Sequence, residues 1–243
     1  MEVYDKMAEY YDFIYGDEWD VDFYLNEARN ARGRVLEAAC GSGRILLALA
    51  KEGIDITGFD TSERMLELLR KKAQEQGVEP DVFLADMVDF KSEKRFNLII
   101  VPYRSFLHLS SESRRRSALK SFYEHLNPGG RLIIHSYNPS KDELLMRETF
   151  HNFEVEEIER EGRKVRLRWY LKYEPSSGAG NYRILLEEND KTTEFGMMIY
   201  FVGQKEMRDL LQRAGYKNIK SYCGFDYTPF TESCREALWV AER

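Results

Sequence analysis

Between residues 33 and 138, short apolar runs rich in β-branched residues alternate with longer stretches of helical period, the pattern of an α/β domain built on a parallel sheet. The runs predict strands at Arg34–Ala38, Ile54–Asp60, Asp81–Ala85, Phe96–Val101 and Arg131–Tyr137, with helices at Arg44–Lys51, Ser62–Gln76 and Glu112–Leu126 between them. In the second of these helices Met65, Leu66, Leu68 and Leu69 share a side, Ser62 is an N-cap and Gly77 a stop. Ahead of them, MEVYDKMAEYYDFIY reads as an amphipathic helix that buries Tyr11 and Ile14.

After Pro139 the period changes to two. In RKVRLRWYLKY, Val165, Leu167, Trp169, Leu171 and Tyr173 face one way, and Lys164, Arg166, Arg168, Tyr170 and Lys172 the other. FEVEEIER, NYRILLEE and TTEFGMMIYF supply further strands through turns at Glu161-Gly162, Pro175 to Gly180 and Asn189-Asp190. The basic face, with Glu154, Glu156, Glu187 and Glu188 as partners, reads as a solvated sheet surface rather than a phosphate site. From Gln204 a helical period returns, followed by strands at Lys217–Tyr222 and Glu236–Val240. The division expected is one domain of residues 1–140 and 203–243, with a helical lid over 1–32, and an inserted antiparallel sheet over 141–202.

The 36 Lys plus Arg against 42 Asp plus Glu, a formal charge of −6, argue against a nucleic-acid surface or a polybasic membrane patch. Cys40, Cys223 and Cys234 show neither CxxC spacing nor a His partner, which suggests free thiols and a cytoplasmic setting. There is no apolar run of signal-peptide or membrane-span length.

VLEAACGSGRILLALA, residues 35–50, is a strand ending in an acidic residue and a Gly-x-Gly turn that runs into a helix. Gly41 and Gly43 permit positive φ and close backbone approach at the sheet's carboxyl edge. A dinucleotide fingerprint would carry a third glycine where Leu46 stands, and Glu37 would oppose a pyrophosphate.

The stretch LEAACGSGR resembles the first motif of the class I S-adenosylmethionine-dependent methyltransferases, and EYYDFIY resembles the branch that methylates glycine, aminosugars and other small molecules. The resemblance implies a Rossmann-like, seven-stranded, mostly parallel sheet with helices on both faces. It also implies S-adenosylmethionine as cofactor and S-adenosylhomocysteine as product. Glu37 would then face the methionine amino group or the sulfonium region, with the Ala38, Gly41 and Gly43 backbone along the methionine and ribose and Tyr11 on the carboxylate. Asp60 would take the ribose hydroxyls, Thr61 and Met65 would border the adenine, Asp86 and Met87 would read it, and Val101, at the end of the fourth strand, would be a further cofactor-binding residue.

The reaction so implied is in-line transfer of a methyl group to N or O of a small acceptor. Candidate bases lie after the fourth and fifth strands: His108, Tyr103, His135 and Tyr137, with His108 favoured because a neutral imidazole accepts a proton near pH 7. Tyr15 would sit near the reacting centre, and Arg104 would hold an anion or pair at the surface. No metal is expected, since no acidic cluster of ligand spacing follows the fourth strand. The expected partner is a small molecule, with no membrane, and the inserted sheet forms either a lid or a homodimer surface. Two alternatives remain: an RNA or tRNA base methyltransferase, using Arg114, Arg115, Arg116 and Lys120, and a non-catalytic S-adenosylmethionine sensor.

Overall fold

The computed structural model describes residues 2–16, 19–140, 144, 151–160 and 162–243; Glu161 and the start of the expected insertion at residues 141–143 lie outside them. Two N-terminal helices, α1 (Glu2–Tyr15) and α2 (Val21–Ala31), precede the alternating region. There β1 (Val35–Ala38), α3 (Arg44–Lys51), β2 (Ile56–Asp60), α4 (Glu63–Gln76), β3 (Asp81–Leu84), β4 (Phe96–Val101), a 3₁₀ turn at Ser105–His108, α5 (Glu112–His125) and β5 (Leu126–Tyr137) follow in order. Four strands come next, β6 (His151–Arg160), β7 (Arg163–Glu174), β8 (Ala179–Glu188) and β9 (Lys191–Tyr200), and then α6 (Gln204–Arg213), β10 (Lys217–Tyr222) and β11 (Glu236–Glu242).

Seven strands form one sheet in the order β10-β11-β5-β4-β1-β2-β3, parallel except for β11, which runs antiparallel to β5 and β10. The chain order reverses at β1, between β2 and β4, so a crevice opens beyond the carboxyl ends of β1 and β4. β1 is buried on both faces, as a central parallel strand must be. Leu46 of α3 fills the space that a third motif glycine would leave. A Cβ on Gly58 of β2 would lie 2.3 Å from the Leu46 Cδ1, so the bulk sits on the helix and the glycine on the strand.

Several boundaries differ from the periodicity. β2 starts at Ile56, because the Ile54 amide still bonds to the Leu49 carbonyl at the exit of α3. β5 starts at Leu126, which pairs with Phe96 before the register shifts through the Gly129-Gly130 turn. Ser62 does cap α4, accepting from the Met65 amide at 3.1 Å, and Gly77 ends it at φ +69°.

The other four strands make an antiparallel sheet in the order β6-β7-β8-β9, with Asn189 and Asp190 both at positive φ in the last hairpin. Its inner face, Ile158, Val165, Leu167, Ile184, Leu186 and Phe195, packs on Met7 and Ile14 of α1, which lies between this sheet and α4. The outer face carries cross-strand ion pairs, Arg166 and Lys164 with Glu157, Arg168 with Glu187 and Arg183 with Glu194, whereas the Arg163–Glu188 pair has the parity of Val165 and Leu186 and lies on the α1 side, with Arg163 over the Tyr10 and Phe13 rings. Glu156 does not share the outer face either. It pairs with Leu167 and so has the parity of Ile158, where it helps to raise the Tyr15 phenol pKa.

The expectation of free thiols is corrected at one pair. Cys223 and Cys234 are joined by a disulfide, because the Cys223 amide bonds to Thr228 and folds the β10–β11 loop back, bringing the two Cα atoms within 5.2 Å. The reducing compartment inferred from unpaired cysteines thus loses its premise. Cys40 remains a buried thiol. Among the described residues no helix is long and apolar enough to cross a membrane.

Candidate active site

A cavity of about 690 Å³ opens at the crevice beyond β1 and β4, a size that suits a cofactor with a small acceptor. α1, α4, the loops after β1 to β4, and β9 contribute its walls. Of the residues singled out from the sequence, Tyr11, Tyr15, Gly41, Asp60, Thr61, Met65, Asp86, Met87, Tyr103 and His108 line it.

Glu37, Ala38, Gly43 and Val101 do not. Ala38 and Val101 are core residues at strand ends, and Gly43 is the φ +89° residue that starts α3, packed under Leu69. Glu37 is 3% exposed and lies behind the turn beside Arg44, whose guanidinium is held by the fully buried Asp20, through Nη2 at 2.9 Å among other contacts. Burial pushes the Glu37 carboxyl well above its usual range, and its Oε2 has no hydrogen-bond partner. Of the alternative bases, His135 donates from Nε2 to Glu236 at 2.8 Å, and Tyr137 lies under the Arg104 guanidinium; neither lines the cavity.

Asp60 is the anchor of the near wall. Its carboxylate accepts from the Gly41 amide at 2.9 Å and from the Ser62 amide at 2.9 Å. Burial raises its pKa, while the Ser62, Gly41 and Thr61 amides oppose the rise by favouring the ionised form. Asp86 caps its own loop through the Val88 amide at 3.1 Å and takes Arg114 at 2.5 Å. That pairing, together with Arg115 bound to Glu206 and to the Leu109 carbonyl, breaks the basic helix face on which nucleic-acid binding was weighed.

The wall on the α1 side is aromatic. Tyr15 stands 4.9 Å from Tyr11, 5.5 Å from Tyr103 and 6.2 Å from Trp169 between ring centroids. Tyr103 and Arg104 are consecutive residues at positive φ, a strained corner that turns both towards the cavity. α1 is tied over the loops after β1 and β2 by Asp12 on the Ser42 hydroxyl and by Asp5 on the Ser62 hydroxyl at 2.5 Å.

Two cavity residues were not visible as such in the sequence. Tyr4 of α1 donates its hydroxyl to His108 Nε2 at 2.7 Å, and the Met198 carbonyl of β9 takes His108 Nδ1 at 3.1 Å. Neither partner carries a motif, and each lies about a hundred residues from the histidine it meets.

Comparisons with known proteins identify relatives in sequence and in fold. Residues 35–130 match the family model described as a methyltransferase domain. Over those residues the chain is similar to S-adenosylmethionine-dependent methyltransferases. It is 34% identical over 102 residues to the dTDP-3-amino-3,4,6-trideoxy-alpha-D-glucopyranose N,N-dimethyltransferase of Streptomyces venezuelae, covering 41% of this chain and 40% of that one. It is 31% identical over 141 residues to the glycine/sarcosine N-methyltransferase of Halorhodospira halochloris, covering 55% and 51%. The chain spans about half the length of the curated relatives it matches. In fold it superposes on the CcbJ methyltransferase of Streptomyces caelestis with a TM-score of 0.82 at 21% identity, over 98% of this chain and 97% of that one.

The cavity's own residues suit S-adenosylmethionine, the cofactor of the proteins the chain resembles. Asp60 has lone-pair capacity left for vicinal hydroxyls, and the wall at Gly41 is open: a Cβ there would meet only Tyr11, at 3.9 Å.

Proposed function

We propose that this protein transfers the methyl group of S-adenosylmethionine to the nitrogen of a small-molecule amine. The observation that carries the reading is the Gly41–Asp60 pair at the carboxyl edge of β1 and β2, facing a cavity with an aromatic wall. When bound, the cofactor supplies an electrophilic sulfonium methyl, so the chain's task is to hold, align and dry the reactants.

Asp60 takes the ribose hydroxyls, Thr61 and Met65 border the adenine, and Asp86 and Met87 lie where the base is read. Tyr11 meets the methionine end. Tyr15, Tyr103 and Trp169 form the wall against which the acceptor nitrogen lies, and α1 with the four-stranded sheet of residues 151–200 is the lid that excludes water. Nitrogen acceptors are favoured because the relatives named above are N-methyltransferases of an aminosugar and of glycine.

Calorimetric titration with S-adenosylmethionine and, separately, NAD tests the cofactor assignment. Micromolar binding of the first, lost in Asp60→Ala, is expected; millimolar S-adenosylmethionine without heat would overturn it. Mass spectrometry of small amines and aminosugars incubated with the protein and cofactor then identifies the acceptor.

A further inference from the structure

His108 is the imidazole of the cavity, yet it has no free nitrogen. A carbonyl can only accept, so the 3.1 Å contact with Met198 O places the ring proton on Nδ1. Nε2 is left as the acceptor, and the Tyr4 hydroxyl fills it at 2.7 Å. The imidazole therefore cannot reach an acceptor amine directly. Three elements distant in sequence, α1, the 3₁₀ turn after β4 and β9, converge to make this chain of hydrogen bonds.

Both titrating groups rest in their neutral forms. Burial lowers the His108 pKa, with the Met198 carbonyl opposing. Burial, then the neighbouring Asp60 and Tyr103, push the Tyr4 phenol far above its usual value. A phenol that donates to an imidazole still has oxygen lone pairs, and the Tyr4 ring lines the cavity edge-on to Tyr11 and His108.

We propose that Tyr4, not His108, is the group that takes the proton from the acceptor amine, and that His108 receives the tyrosine's own proton in the same event. The inference rests on the amine-methylation reading above. An amine arrives from water as an ammonium ion and has no lone pair to offer. One N–H bond of the ammonium breaks and its proton bonds to Tyr4 Oη, while the Tyr4 O–H bond breaks and that proton bonds to His108 Nε2. The amine is left neutral, Tyr4 is regenerated as a phenol and the imidazolium holds the proton; when product leaves and water enters the cavity the two transfers reverse, His108 Nε2 returning its proton to Tyr4 Oη while the Tyr4 O–H proton passes to water, which restores the Nδ1–H tautomer. The Met198 carbonyl positions the ring by fixing its tautomer.

The test uses the full chain. Long-range nitrogen–proton NMR of the protein labelled at its four histidines reads the His108 tautomer in the wild type and in Tyr4→Phe. The expected result is Nδ1–H in both, with the Nε2 resonance moving in the variant. A proton found on Nε2 overturns the proposal whatever the acceptor is. Glycine and ethanolamine serve as amine probes for turnover. Tyr4→Phe and His108→Gln are each expected to lower kcat by about a hundredfold, the usual scale of lost acid–base catalysis, with the double variant no worse than either. Affinity for S-adenosylhomocysteine stays within twofold. Unchanged kcat in Tyr4→Phe overturns the relay. Loss of S-adenosylhomocysteine affinity in step with kcat would make Tyr4 a lid contact instead, and also overturns it. Absence of turnover with any amine counts against the amine reading and leaves the tautomer measurement to judge the hydrogen-bond chain by itself.

Discussion

The Gly41 backbone amide donates to the Asp60 carboxylate at 2.9 Å, tying the glycine turn after β1 to the end of β2. The bond fixes the floor of the cavity before any ligand arrives, because the carboxylate is already oriented by backbone that cannot rotate away. Preorganisation of this kind lowers the ordering cost of binding.

Asp60→Asn keeps the volume and removes the charge. Hydrogen bonds to a charged group are worth about 1.5–3 kcal/mol, so S-adenosylmethionine affinity should fall by roughly ten- to a hundredfold. Calorimetry measures the fall, and unchanged affinity would remove Asp60 from the cofactor site.

Gly43 sits at φ +89°, and a Cβ there would lie 2.7 Å from Leu69 Cγ. Gly43→Ala therefore strains the backbone and overpacks α3 against α4, at a cost of about 1–3 kcal/mol. Urea unfolding should show a lowered midpoint with an unchanged slope; an equal midpoint would mean that the turn has room to relax.

Glu37 gives a pH signature. Its folded pKa is raised above the ordinary value of 4.5 by burial, so its contribution to stability is complete below that pH and is lost as pH rises through the folded value. Glu37→Gln mimics the protonated form. The variant's unfolding free energy should exceed the wild type's by a margin that grows from pH 4.5 to pH 8. A margin independent of pH would show that Glu37 is ionised in the fold.

The Cys223–Cys234 bridge closes a loop with a sequence separation of 11, and a loop that short is stabilised by about 3 kcal/mol or less. Phe225, inside the loop, packs on Trp19, Phe23 and His135, so the loss should be felt at the α2 side of the fold. Adding a dithiol reductant should lower the melting temperature of the wild type and leave that of a Cys223→Ser/Cys234→Ser variant unmoved. Equal responses would argue against the bridge.

What the sequence alone determined was local. The alternation of apolar runs with helical period, the Gly41-Ser42-Gly43 turn and Asp60 at a strand end are each written within a few residues, because backbone geometry at a turn constrains the residue types that occupy it. The period-two stretch likewise declared its four-stranded sheet. What only the tertiary structure decided was which side chains share the cavity. Glu37 was withdrawn from it, because the β1 end is buried against Arg44 and Asp20 rather than open to the crevice. Tyr4 and the Met198 carbonyl were brought onto His108 across separations of 104 and 90 residues. Such contacts leave no periodicity in the chain, since they depend on how α1 and β9 pack over the sheet and not on their neighbours in sequence.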